Sequence, residues 1–291
     1  MVLIRYISKE SRFAFKIYSN LLFLLSSYRV STINNRPKKY YLVFLLFSRL
    51  FIEVLMLSKK HLKLITSLKQ KKFRHQDGLF VVEGVKGVEE FLKSDFELYL
   101  LFSTEAIFDV KTILISDREL QKISTLKSPN TVVAIFMIPK RKQVELDGLV
   151  LALDDVRDPG NLGTIIRLCD WFGIRNIVCS AATVDCYNSK VVQATMGSLT
   201  RVNIHYTDLN SFVLDYKHDI FGTFMTGHNI YTQQLPERGL IIMGNEANGI
   251  SKSIEHAVTT KLSIPRFGTV KRTESLNVAT ATAIVLSEFK R

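Results

Sequence analysis

Two stretches of this 291-residue chain, Leu149-Val150-Leu151-Ala152-Leu153 and Leu240-Ile241-Ile242-Met243, contain no polar residue. A strand covered on both faces reads this way, because neither face has to meet water. Such strands belong to parallel sheets, whose crossover helices lie on both sides. The intervening sequence alternates accordingly. Helical patterning runs from the first stretch through Phe172, followed by a strand at Asn176–Cys179 and a helix over Asn188–Leu199. Strands follow near Arg201–Ile204, at Asp219–Phe224 and at Lys261–Ile264. A closing helix over Leu276–Lys290 places Leu276, Ala279, Ala283, Leu286 and Phe289 on or near one face. Residues 149–291 therefore predict an α/β unit: a mostly parallel, doubly wound sheet with helices on both faces.

Residues 56–138 predict a smaller α/β unit. Its first part, 58–75, reads as a basic helix with Leu62, Ile65 and Leu68 on one stripe. Lys59, Lys60, Lys63, Lys69, Lys71, Lys72 and Arg74 supply positive charge with no acid among them. That face is either simply solvated or a phosphate-contacting surface for RNA. A strand at Leu79–Glu83 ends at Gly84 and a helix follows from Val85. Further strands are expected at Glu97–Phe102, Thr112–Ile115 and Thr131–Phe136, with a helix near Arg118–Leu126. The polar segment 139–148 is the expected linker.

Charge is distributed unevenly along the chain. Residues 1–60 carry 11 Lys and Arg against 2 acids, a balance of +9, whereas the rest carries 28 against 25, a balance of +3. The folded part is thus only mildly basic, which permits a polyanionic partner without demanding one. Residues 1–55 are an atypical basic and apolar extension. Three readings fit: a membrane-surface helix, an RNA-binding arm, or upstream sequence preceding a true start at Met56. The pure apolar run Tyr40–Phe47 falls far short of the roughly 20 residues of a spanning helix, so no stable membrane span is expected. Cys169, Cys179 and Cys186 form neither an even set nor a CxxC pair. They read as free buried thiols of a cytoplasmic protein, with no disulfide framework and no metal site.

Three polar turns stand where strands end, the edge at which open α/β sheets bind ligands. The first is Asp154-Asp155-Val156-Arg157-Asp158-Pro159-Gly160-Asn161-Leu162-Gly163, with Arg167 on the helix beyond. Asn161 is placed to cap that helix. The second is Gly244-Asn245-Glu246-Ala247-Asn248-Gly249, where Gly244 would let a ligand approach the backbone and Glu246 brings a carboxylate. The third runs from Ile264-Pro265-Arg266-Phe267-Gly268 to Thr273-Glu274-Ser275-Leu276-Asn277, with Ser275 or Asn277 as the helix cap. Taken singly, each is also an ordinary capped turn.

Together, DPGNLGTIIRLCDWFG, IIMGNEANGIS and TESLNVATATAI resemble the three motifs of the SpoU (TrmH-like) branch of the SPOUT, or trefoil-knot, RNA methyltransferases. The motif-bearing resemblance covers about residues 149–291. More loosely, residues 58–138 are similar to the small L30e-like RNA-binding domain that often precedes it. The loop Gly268–Glu274 is a few residues longer than in many members. The resemblance implies a deep trefoil knot in the C-terminal unit, S-adenosyl-L-methionine as methyl donor, and a homodimer with its active site near the subunit interface.

It further implies a 2′-O-ribose methyltransferase. Arg167, Asn161, Glu246, Ser275 and Asn277 would surround the reacting hydroxyl. Thr223, Phe224, Gly244, Asn245, Ile264 and Leu276 would hold the donor, and Lys59, Lys60, Lys69, Lys71, Lys72 and Arg74 would contact RNA. Ribosomal RNA is preferred over transfer RNA, because the small unit looks like that of ribosome-directed members. A transfer-RNA enzyme, a base methylase and a catalytically silent RNA-binding protein of the same fold are the alternatives. Dinucleotide enzymes, P-loop kinases and GxSxG hydrolases are excluded, since none of their turns occurs.

Overall fold

A computed structural model of the chain describes residues 57–140, 147–268 and 275–291. The extension expected over 1–55, most of the expected linker and most of the loop 268–274 lie outside the described residues.

The smaller unit begins with α1 (Lys59–Ser67) and α2 (Lys71–Asp77), then β1 (Leu79–Glu83), α3 (Val85–Leu92), β2 (Leu98–Ser103), β3 (Ile113–Leu114), α4 (Asp117–Ile123) and β4 (Val132–Met137). Its sheet has the order β1-β4-β2-β3. The single basic helix expected over 58–75 is in fact two helices. Ser58 caps the first, its hydroxyl accepting from the His61 N–H at 3.1 Å. The break after Ser67 is stabilised from the second helix. There the Arg74 guanidinium donates to the carbonyls of Leu68 and Lys69 at 2.9 and 3.0 Å.

Arg74 corrects an expectation. It is 2% exposed, so it is not part of an RNA-facing surface. Besides those carbonyls, it donates through Nε and Nη2 to Asp185 Oδ2, the former at 2.9 Å. Asp185 is itself only 5% exposed and accepts the Tyr187 N–H on its other oxygen. A charge buried this deeply is tolerable only when paired and fully hydrogen-bonded, and this one is. Lys59, Lys60, Lys69, Lys71 and Lys72 remain exposed.

The larger unit comprises β5 (Leu149–Leu153), α5 (Pro159–Phe172), β6 (Asn176–Ser180), α6 (Ser189–Thr195), β7 (Asn203–Thr207), α7 (Leu209–Asp215), β8 (Ile220–Asn229), β9 (Gly239–Met243), α8 (Lys252–Glu255), β10 (Thr260–Ser263) and α9 (Val278–Phe289). Its six strands run in the order β10-β8-β9-β5-β6-β7, and every pairing is parallel. The apolar runs β5 and β9 lie side by side at the centre, in register from Leu149↔Gly239 to Leu153↔Met243, and are buried throughout. From β5 the chain builds outward through β6 and β7, then restarts on the other side. The crevice of the sheet therefore opens at the carboxyl ends of β5 and β9, the topological switch point.

Several boundaries differ from those expected. β7 starts two residues later than anticipated. β8 runs on to Asn229, bulging between Gly222 and His228 where it pairs with β10. Helices α7 and α8 had not been anticipated; each is a single short amphipathic segment with too few turns to show periodicity.

The two sheets share a core. One continuous apolar cluster includes Phe80, Phe91 and Phe136 of the small unit and Leu151, Ile165 and Val191 of the large one. The Tyr187 ring meets the Phe80 ring across the junction at 4.7 Å. Arg74 and Asp185 tie the same junction electrostatically. Removing one partner leaves the other charged and buried, so Arg74→Ala should lower unfolding free energy by about 3–5 kcal/mol. Paired apolar replacement, Arg74→Met with Asp185→Leu, should recover much of that loss. Urea denaturation of the three proteins checks both outcomes.

Candidate active site

Helix α5 starts at the crevice for an explicit local reason. Asp158 is its N-cap, accepting the Asn161 N–H on Oδ1 at 2.8 Å, and Pro159 occupies the first helical position. The expected cap, Asn161, therefore lies inside the first turn with its side chain free for other work. Two residues on, Gly163 lets α6 approach. A Cβ there would lie 2.4 Å from that of Ala194, so the glycine sets how closely α5 and α6 pack.

The turn after β9 is built around Asn245. Its side-chain oxygen accepts the N–H groups of Ala247 and Asn248, and its backbone bonds in both directions with Gly249. Its Nδ2 donates to the Asp155 carbonyl at 2.7 Å, joining the second turn to the first. Asp154 joins them again, its buried carboxylate accepting the Ser251 N–H at 2.7 Å. Asp155 is held at φ 61°, and Ser180 Oγ accepts its N–H at 2.9 Å. Strained backbone of this kind persists only where its surroundings fix it. The Asp155 carboxylate grips Arg157 at 2.7 and 2.8 Å, and this bonding raises the arginine's already high pKa.

The side chain of Asn161 joins all three turns. Its Nδ2 donates to Glu246 Oε1 at 2.9 Å, and its Oδ1 accepts from Asn277 Nδ2 at 2.9 Å. Asn277 in turn caps α9, its Oδ1 accepting the N–H groups of Ala279 and Thr280. The direction of this chain is dictated chemically. A carboxylate only accepts, so the Asn161 amide nitrogen must face Glu246, and each later orientation follows. Asn277 is thus both the cap expected of it and a member of the site.

The remaining expected residues are distributed around this centre. Arg167 is exposed on α5 and takes no partner among the described residues. Ser275 and Leu276 immediately precede Asn277 and are exposed. Gly244 and Ile264 directly follow strands β9 and β10, and Thr223 follows the stretch of β8 that pairs with β9; all three are half-buried. Thr223 Oγ1 donates to the Ile242 carbonyl at 3.1 Å. Neither Gly244 nor Ile264 spends its N–H or C=O on another backbone group among the described residues. Phe224 faces differently: its ring packs beside Gly222 and lies 4.8 Å beneath Lys261 Nζ.

The reason for glycine at 244 also differs from the one expected. A Cβ there would sit 2.2–2.3 Å from Gly249 C and Ile250 N, so the space is filled by the chain's own turn.

Comparison with known proteins agrees with this fold. Residues 148–287 match the SpoU rRNA Methylase family, and residues 59–134 match the MRM3-like substrate binding domain. The 23S rRNA (guanosine(2553)-2'-O)-methyltransferase RlmP of Bacillus subtilis (strain 168) is 31% identical over 235 residues, spanning 77% of this chain and 93% of its own. The chain belongs to the SpoU methylase family. Among solved structures, a TrmH-family protein from Porphyromonas gingivalis superposes with TM-score 0.74 at 34% identity, covering 81% of this chain and 98% of its own. An AdoMet-bound rRNA methyltransferase from Sinorhizobium meliloti gives 0.71 at 28%, with 80% and 95% covered.

Sequence reading missed Asp154, Asp155 and Ser180 as the ties that hold the family's first two turns together. The Asp-Pro pair at 158–159 did carry the signature of a helix start, and reading it would have freed Asn161 from the capping role. Gly244→Ala should collide with backbone that has no slack. We expect a loss of about 1–3 kcal/mol or more, the usual range for overpacking, with displacement of the Glu246 turn. Thermal melts, together with amide exchange at residues 245–251, measure it; an unchanged melting temperature would contradict the close approach.

Proposed function

We propose that this protein transfers the methyl group of S-adenosylmethionine to a ribose 2′-hydroxyl of RNA, ribosomal rather than transfer RNA. The observation that carries the reading is the Asn161 bridge, which gathers Glu246, Asn277 and their two turns around one crevice. The rRNA preference is supported by RlmP as a relative and by the substrate-binding domain matched over 59–134. The division into units at 56–138, 139–148 and 149–291 belongs to the same proposal.

Fit to the donor rests on the chemistry of the strand ends. Gly244 and Ile264 offer uncommitted backbone donors and acceptors at half-buried positions, and Thr223 and Leu276 flank them. Asn245 contributes by building the turn rather than by offering its side chain. When bound, S-adenosylmethionine would supply a sulfonium-linked methyl for in-line attack by an oxygen nucleophile, its thioether leaving as S-adenosylhomocysteine. Holding the two reactants in that line is worth roughly 7–11 kcal/mol.

Glu246, oriented by Asn161, accepts the hydrogen bond of the ribose hydroxyl and aims its oxygen. Arg167 is too strongly basic to serve as a simple proton acceptor. Its role is to pair with the RNA phosphate and stabilise the negative charge that develops as the hydroxyl proton passes to the Glu246 carboxylate. Ser275 stands beside this group on the third turn.

A homodimer with its active site near the interface is part of the reading. On α5, Thr164, Arg167, Leu168 and Trp171 recur at helical spacing, so Arg167 shares a face with a tryptophan that is 84% exposed. In this reading the face that carries Arg167 and Trp171 is where the second copy packs. The knot implied by the sequence belongs here too. Its support is that the chain leaves edge strand β10 and returns to pack α9 on α5, beside the central strand β5. A reducing, cytoplasmic setting is supported by the three free cysteines, whose thiols burial pushes far above the ordinary range. No helix among the described residues is long and apolar enough to cross a membrane.

Arg167→Ala should retain donor binding by calorimetry and lose about 100-fold or more of the methyl-transfer rate. Full activity in that variant removes Arg167 from the reaction, and a wild-type protein that binds no donor favours a silent RNA-binding role. Trp171→Arg should shift the protein from dimer to monomer in sedimentation velocity; a wild-type monomer that methylates RNA at full rate overturns the interface.

A further inference from the structure

Outside the methyl-transfer crevice, a cavity of about 500 Å³ lies between the two units. Lys71 and His75 of α2, with Phe96 and Lys140, form one wall. His205 and Tyr206 of β7 form the other. We propose that this cleft binds an unpaired nucleotide of the RNA substrate, a few nucleotides along the strand from the one that is methylated. The proposal rests on the RNA-methyltransferase reading and adds a second contact to it.

Three observations converge on a nucleotide. The first is charge. Lys71, His75 and Lys140 are exposed at the rim, while the buried Asp185 in the floor is already neutralised by Arg74. Asp95 is the one uncompensated acid in the lining, so the rim favours an anion. The second is aromatic surface. Phe96, Tyr187 and Tyr206 are half-buried there, and stacking on such rings is how proteins hold unpaired bases. Tyr206 is fixed from behind, its hydroxyl donating to the Val184 carbonyl at 2.6 Å and accepting the Cys186 N–H at 2.8 Å. Lys71 Nζ lies 5.8 Å from the centroid of its ring, putting a cation beside an aromatic face.

The third is hydrogen-bonding capacity. Among the described strands β7 is an end strand that pairs with β6, and its residues Asn203–Thr207 line the cleft, which brings edge-strand backbone to it. A base edge can use such groups, whereas the phosphates of a duplex cannot reach them. The volume matches the 300–1,000 Å³ typical of small-ligand sites and is too small for paired strands.

Position supplies the link to the reaction. Ala181 lies in the cleft wall, and its neighbour Ser180 is the residue that accepts the Asp155 N–H in the first turn. β7 stands three strands from β9, whose following turn carries Glu246, about 15 Å at the usual strand spacing. A strand of RNA with one nucleotide in the cleft can therefore present a ribose a few nucleotides along to Glu246 and Arg167.

The test uses the full chain and a mixed-sequence single-stranded octaribonucleotide carrying 4-thiouridine. Photo-crosslinking and mass spectrometry should place adducts on Phe96 or on the peptide containing His205 and Tyr206. Lys71→Glu with Lys140→Glu should weaken binding of this probe about tenfold or more, and raise KM for RNA more than it lowers kcat. Lys122→Glu, on α4, should leave binding unchanged, and the double variant should bind S-adenosylmethionine normally. Adducts confined to other surfaces, unaltered affinity in the double variant, or a duplex that competes as well as the single strand would each overturn the cleft assignment. If the probe crosslinks in the cleft but no methyl is transferred, the enzyme reading fails while the cleft stands. If methyl is transferred with KM indifferent to Lys71 and Lys140, the cleft fails and the enzyme stands.

Discussion

One primary amide, that of Asn161, is held at both ends by residues far away in sequence. Its nitrogen meets the Glu246 carboxylate and its oxygen meets Asn277, respectively 85 and 116 residues further along the chain. Neither bond can form unless the three strand ends meet. Because a carboxylate never donates, the whole relay to the α9 amides can point in only one direction. The site is therefore pre-oriented by the fold before any RNA arrives, which is the condition for electrostatic stabilisation without reorganisation at the moment of reaction.

That convergence depends on the sheet. β5 and β9 are adjacent although nearly ninety residues apart, and their register places Asp154 and Gly244 at the same level. Buried ties then remove the slack: Asp154 with Ser251, Asn245 with the Asp155 carbonyl, Ser180 with the Asp155 N–H. The Asp155 backbone sits in a conformation that costs of order 1–3 kcal/mol, held there by neighbours on two other strands. Stability given up at one residue fixes the geometry of several.

Much of this was legible in the sequence because it is local. Runs without polar residues gave β5 and β9, and turn chemistry gave the three loops. What stayed hidden was reciprocal. Arg74 read as one more cation on a basic helix, since nothing near it announces Asp185 more than a hundred residues away. Gly244 read as room for a ligand, whereas the chain itself fills that room. Asn161 read as a cap although Asp158 and Pro159 already supplied one; that signal was present and was outweighed by the motif's more conspicuous residue. Short helices such as α8, with four residues, offer too little periodicity to be seen at all.

The chain has a single tryptophan, and the fold leaves it almost wholly in solvent, one helical turn beyond Arg167. In a lone protomer this indole would be hydrated before and after unfolding, so its emission would report little on the fold of one copy. The ring's surroundings change only when something settles against α5. Spectroscopically, Trp171 works as a native gauge of what docks beside the catalytic arginine, with no label to be introduced.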